Sequence, residues 1–166
     1  MNALLDSLLK VLKAENSVYQ SLYLILQQQR NAVVGCEVNA LKKNGDTAEN
    51  LLLKLAKLET QRTKATARLA ASLAVPEPDL TLKKIVRLIH EPYSSELRDV
   101  RAELIAVLQG IQKASRDNLA LFKHSHELMQ DSLALLSKCI LNSSVYYRSG
   151  KIQKTALSGT LLSGEI

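Results

Sequence analysis

The sequence predicts an all-α protein: an elongated antiparallel bundle of three long helices plus one short helix, with coiled-coil-like packing and a flexible C-terminal tail. Three observations carry this reading. Residues 92–141 run for 50 residues with one glycine and no proline after the first position. Across that span Leu97, Val100, Leu104, Val107, Ile111, Ala114, Asn118, Leu121, Ser125, Leu128, Ser132, Leu135 and Cys139 recur at alternating steps of three and four, which keeps them on one helix face. Composition agrees: 46% of residues are apolar but only 4% aromatic, with no Trp, so leucine and alanine supply the apolar mass and favour helix over sheet. At 1.5 Å per residue the last helix would be about 75 Å long. It cannot bury its stripe inside a small globule. It packs against other long helices, or leaves part of the stripe open to another helix.

The first helix is expected from about Asn2 to Val34 or somewhat beyond. Leu5, Leu12, Tyr19, Leu26, Val33 and Ala40 recur every seven residues, with Leu8, Leu22 and Ile25 widening the stripe, a repeat that favours left-handed supercoiling. Glu15 and Gln29 interrupt this seam, either as exposed edge positions or as register-setting polar contacts. Two breaks are candidates, Val34-Gly35-Cys36 and Asn44-Gly45-Asp46. Asn-Gly is the stronger turn signal, and Asp46 or Thr47 suits a helix cap. The reversal is therefore expected within 35–46, and the second helix over about 47–74, with Ala48, Leu51, Leu55, Leu58, Arg62, Ala65, Leu69 and Leu73 as its stripe. Thr60, Thr63, Thr66 and several alanines replace leucine in its second half, which should pack more closely and less stably.

Pro76 and Pro78 end the second helix. Thr81 is placed to cap a short helix over 82–89, and Pro92 to open the last long one, over 92–141. Gly110 within it marks a bend or a close approach to another helix, at a cost near 1 kcal/mol relative to alanine. Residues 1–141 thus read as a single helical domain and 142–166 as a flexible tail rich in Ser, Thr and Gly. That tail also holds Val145, Tyr146, Tyr147, Ile152, Leu157, Leu161 and Leu162. Two readings stay open for these: solvated chain, or anchors for folding onto a partner.

The net charge of +6 is uneven. Residues 42–90 hold ten basic and five acidic side chains. Without clustered Arg/Lys runs interleaved with aromatics, this reads first as a solvated face and only second as a nucleic-acid surface. The opening residues lack a basic region and a cleavage site, and no apolar run approaches the roughly 20 residues of a membrane span. A cytoplasmic protein without membrane insertion is expected. Cys36 and Cys139 lie near stripe positions and read as small buried hydrophobes.

Catalytic constellations are not found. His124 and His126 stand about 200° apart on a helix and cannot share a metal. No Gly-rich phosphate loop, nucleophile elbow or strand is expected, and neither a cofactor, a metal nor an enzymatic activity is. Interest falls on the second half of the long helix. There Leu119, Phe122, His126, Met129, Leu133, Leu136 and Ile140 broaden the stripe. These either pack on the first two helices or form a face that accepts a foreign helix, for which flexible Met beside Leu is suited.

In order, the pieces resemble the FlgN-type flagellar export chaperones. The resemblance rests on Leu4-Leu5 to Leu26-Gln27-Gln28-Gln29-Arg30-Asn31-Ala32-Val33 and on Thr81-Leu82-Lys83-Lys84-Ile85-Val86-Arg87-Leu88-Ile89. It rests also on Asp117-Asn118-Leu119-Ala120-Leu121 with Ser132-Leu133-Ala134-Leu135-Leu136, and on Tyr146-Tyr147-Arg148-Ser149-Gly150-Lys151. It implies a cytoplasmic all-helical chaperone. Such a chaperone binds the amphipathic C-terminal segments of hook-filament junction (hook-associated) proteins and delivers them to the type III export apparatus. Carried onto this chain, the client-binding residues are Asn118, Leu121, Phe122, Met129, Leu133, Leu136 and Ile140. Docking on the export gate falls to Tyr146 or Tyr147, since Tyr147 replaces a glycine of the family pattern. Two other readings compete: a structural coiled-coil adaptor that self-associates through the stripe as a homodimer, and a basic helical nucleic-acid-binding protein.

Overall fold

The structure is a computed structural model that describes residues 1–76, 80–142, 145–146 and 152–153, with side chains through Cys139. Among the described residues four helices follow in order: α1 (Asn2–Val34), α2 (Val38–Leu73), α3 (Leu82–Leu88) and α4 (Tyr93–Asn142). The expected long-short helix order is present, with three long helices and one short one.

The reversal between α1 and α2 falls at Gly35-Cys36-Glu37. The Glu37 amide donates to Ala32 O at 2.8 Å and the Cys36 amide to Val33 O at 3.2 Å. This paired pattern is a Schellman motif. Its left-handed position is taken by Cys36, at φ 55°, while Gly35 just before it stays right-handed. The Asn44-Gly45-Asp46 turn is absent, and α2 begins at Val38 instead of 47. One glycine costs a helix interior only about 1 kcal/mol, and Ala40 and Leu41 before it are half-buried. The residues expected to cap bond within the helix instead: Thr47 Oγ1 donates to Lys43 O at 2.8 Å, and Asp46 O accepts from Asn50 Nδ2 at 2.9 Å.

Helix α2 ends in a second Schellman motif. Val75 N–H donates to Ala70 O at 3.1 Å, and Ala74 stands at φ 52°. Thr81 caps α3 as expected, its Oγ1 accepting from the Lys84 amide at 3.3 Å. Helix α4 starts at Tyr93, one residue after Pro92.

The cross-helix bonds fix the direction of the three long helices. Arg62 Nε donates to Glu15 Oε1 at 3.0 Å, so α2 runs antiparallel to α1 after the turn. Lys13 meets Glu96, Asn16 meets Glu103 and Asn118 meets Leu26, so both numbers rise together and α4 runs parallel to α1. The result is an up-down-up arrangement over residues 1–121.

The core of this part gathers Leu5, Leu8, Leu9 and Leu12 of α1, Ala65, Leu69 and Ala70 of α2, Leu80, Ile85 and Ile89 around α3, and Leu97, Val100 and Leu104 of α4. It lies where α3 closes the end shared by the α1 and α4 N-termini. The alanine-rich half of α2, expected to be the weaker, is the half that enters this core. Small side chains let the backbones approach. Thr60, Thr63 and Thr66 satisfy their hydroxyls on carbonyls four residues back. Leu52 and Leu53 in the leucine-rich half are exposed. Gly110 marks a close approach: a Cβ there would meet Tyr23 Cε2 at 3.2 Å.

Glu15 proves to be a register-setting polar contact. Its carboxylate is buried, and burial pushes its pKa up while the Arg62 guanidinium pulls it partly back. Both cysteines are exposed, not buried: Cys36 stands in the turn, and Cys139 near the end of α4. Apart from Arg62, the basic residues of 42–90 are exposed, as a solvated face requires.

Beyond α4, Val145–Tyr146 (β1) pairs antiparallel with Ile152–Gln153 (β2). These two short strands were not expected. The remainder of the expected flexible tail lies outside the described residues.

Candidate functional site

The chain divides into two compact units, Met1–Leu121 and Phe122–Ile166. The division falls within α4. The expected client surface is therefore split between two environments.

In the first unit Asn118 is buried, and its Nδ2 donates to the Leu26 carbonyl at 2.8 Å. An amide used in this way ties α4 to α1. Leu121 is half-buried. The cleft lined by Lys13, Asn16, Ser17, Glu96, Asp99 and Glu103 is crossed by the Lys13–Glu96 pair at 2.9 Å and the Asn16–Glu103 bond at 2.6 Å. It serves the α1–α4 contact.

In the second unit the helix face changes character. Leu128, Met129, Leu133, Leu135 and Leu136 are 54–64% exposed, and Phe122 36%. Met129, Leu133 and Leu136 follow at steps of four and three, and Leu128 and Leu135 stand one heptad apart, so the five form one band on the helix. Five large apolar side chains so close together and so exposed form an exposed patch rather than scattered surface leucines. The serines between them do little to break it. Ser132 Oγ donates to Leu128 O and Ser137 Oγ to Leu133 O, both at 2.8 Å, so each hydroxyl is folded back on the helix. Lys123, Glu127, Asp131 and Lys138 are exposed along the same stretch.

Four of the expected client residues, Phe122, Met129, Leu133 and Leu136, thus share this exposed stretch. Leu128 and Leu135 join them. Both belong to the long stripe expected either to pack or to stay partly open, and periodicity alone does not say where along a long helix the partners stop. Of Ile140 only the backbone is described. Tyr146 falls in β1, and Tyr147 lies outside the described residues.

The band carries no charge cluster suited to a metal: among the described residues no group of three His, Cys, Asp or Glu side chains is placed to hold an ion. His126 faces Gln130, with 3.0 Å between their Nε2 atoms. Among the described residues no helix is long and apolar enough to cross a membrane. What such a band can do is bury itself against another amphipathic segment, gaining roughly 25 cal/mol per Å² of apolar surface covered.

Comparisons with curated proteins and with solved structures returned no match. A family model described as FlgN protein matches residues 1–154, spanning all four helices and both short strands, and the chain belongs to this family of flagellar export chaperones.

Proposed function

We propose that this chaperone acts in the cytoplasm on hook-filament junction proteins. It binds their amphipathic C-terminal segments along α4 from Phe122 to Ile140. The observation that carries the reading is the exposed band Leu128, Met129, Leu133, Leu135 and Leu136 in a member of an export-chaperone family. A client end that folds as a helix against this band hides its own apolar face and cannot assemble early. Ordering the client costs about 2–5 kcal/mol or more of the gross interaction energy, which keeps the complex dissociable. Delivery to the export gate is assigned to Tyr146 or Tyr147, just past α4.

Calorimetric titration with synthetic C-terminal peptides of the junction proteins from the same bacterium tests this. The expected result is saturable binding with a negative heat-capacity change. It should weaken in Phe122→Ala and survive truncation after Leu141. No binding, together with a tight self-dimer in light scattering, would instead support a coiled-coil adaptor.

A further inference from the structure

Between α1 and α4 the cleft lined by Lys13, Asn16, Ser17, Glu96, Asp99 and Glu103 has a volume of about 420 Å³. It lies in the first compact unit and has no part in the function proposed above. The chain as a whole carries +6, yet this cleft is acidic: three carboxylates meet the one ammonium of Lys13. Glu96, Asp99 and Glu103 follow at steps of three and four, which sets them on one face of α4. Lys13 Nζ pairs with Glu96 Oε2 at 2.9 Å. The charges of Asp99 and Glu103 are left without a cation.

Asn16 points independently to a ligand. It is only 7% exposed, and its Nδ2 donates to Glu103 Oε2 at 2.6 Å. A carboxylate can only accept, so this bond fixes the amide, and its oxygen cannot trade places with its nitrogen. Oδ1 is then a buried oxygen with no donor among the described residues. Buried polar atoms are nearly always hydrogen-bonded, so Oδ1 calls for a donor. A water would serve the oxygen and leave the charge; a donating cation serves both. A bare metal ion is the wrong size. It draws its oxygen ligands to about 2.0–2.6 Å, and among the described residues no three His, Cys, Asp or Glu side chains are placed to hold one. A guanidinium spreads its donors over a planar fork and is more weakly hydrated than an ammonium, which suits two carboxylates beside a buried amide oxygen.

We infer that this cleft receives an arginine side chain of a partner protein. The guanidinium donates to Asn16 Oδ1 and to the carboxylates of Glu103 and Asp99. The inference does not rest on the client reading of the α4 band, and it is tested without a client.

The probe is Nα-acetyl-arginine methylamide, titrated into the full-length, isotope-labelled protein and followed by NMR. Saturable shifts are expected in the amides of residues 13–20 and 96–103 and in the side-chain amide of Asn16. The corresponding lysine derivative should bind on the order of fivefold more weakly. Asp99 is exposed, so Asp99→Asn should fold as the wild type does while binding the arginine probe on the order of tenfold more weakly. Equal affinity for the two probes, or shifts that rise without saturation and are matched by sodium chloride, would mean charge screening alone and overturn the proposal. Full affinity in Asp99→Asn would overturn it too. So would saturation of the same amides by calcium or magnesium chloride with no response to the arginine probe, which would make the cleft a metal site.

Discussion

Glu15 Oε1 accepts from Arg62 Nε at 3.0 Å, joining a buried carboxylate on α1 to a half-open guanidinium on α2. Arg62 also reaches Glu59 one turn away, Nη2 to Oε1 at 3.5 Å. The pair pins the antiparallel register of α1 and α2, because a slip of either helix would leave Glu15 buried without a partner. Arg62→Met should therefore cost about 2 kcal/mol, read as a lowered midpoint in urea with an unchanged slope.

The same carboxyl sets a pH dependence. Burial raises its folded pKa above the unfolded value near 4.5, against the opposing pull of Arg62. A group raised on folding contributes stability that is full below the unfolded pKa and is lost as pH rises through the folded one. Relative to Glu15→Gln, the wild type should thus lose stability as pH climbs from below 4.5 toward neutrality. Paired thermal melts across that window measure it, and a difference that grows with pH would contradict the assignment.

Cys36 and Ala74 both occupy left-handed positions, at φ 55° and 52°, that glycine adopts without a Cβ penalty. Cys36→Gly and Ala74→Gly should each stabilise by about 1 kcal/mol, or about 2–4 °C in Tm for a chain of this size. Destabilisation by either would mean that the turn is built differently.

Leu69 and Leu97 are fully buried, whereas Leu133 is 57% exposed. Leu69→Ala and Leu97→Ala should each cost about 2–5 kcal/mol, while Leu133→Ala should stay within about 0.5 kcal/mol. The first two belong to folding. The third should appear only in client affinity.

Asn118 separates the two roles on one helix. Asn118→Ala removes the bond to Leu26 and leaves a buried gap, at a cost of about 1–2 kcal/mol in stability. Client-peptide affinity should be unchanged, measured well below the melting temperature. A selective loss of affinity would place Asn118 on the client surface.

Much of this was legible in the chain. The three-four spacing marked all three long helices, Thr81 marked the α3 cap, and the proline pair marked the end of α2. The α1–α2 turn was harder to read, because Asn44-Gly45 looks like a turn in isolation. Tertiary contact along α1 overrides a single glycine, and the left-handed residue proved to be a cysteine. Cys139 and Leu135 fit the seam by period yet are exposed. Asn118 fits it as well, and is buried as a tie to α1. A periodic pattern gives the face of a helix but not the length over which other helices cover that face.

Hydrogen exchange with mass readout, with and without a junction-protein C-terminal peptide, tests the central claim most directly. The account predicts that amides between Phe122 and Cys139 gain protection on peptide binding, while those of α2 from Thr60 to Leu73 stay as they were. Binding that protects α2 or α3 and leaves 122–139 unchanged would contradict it.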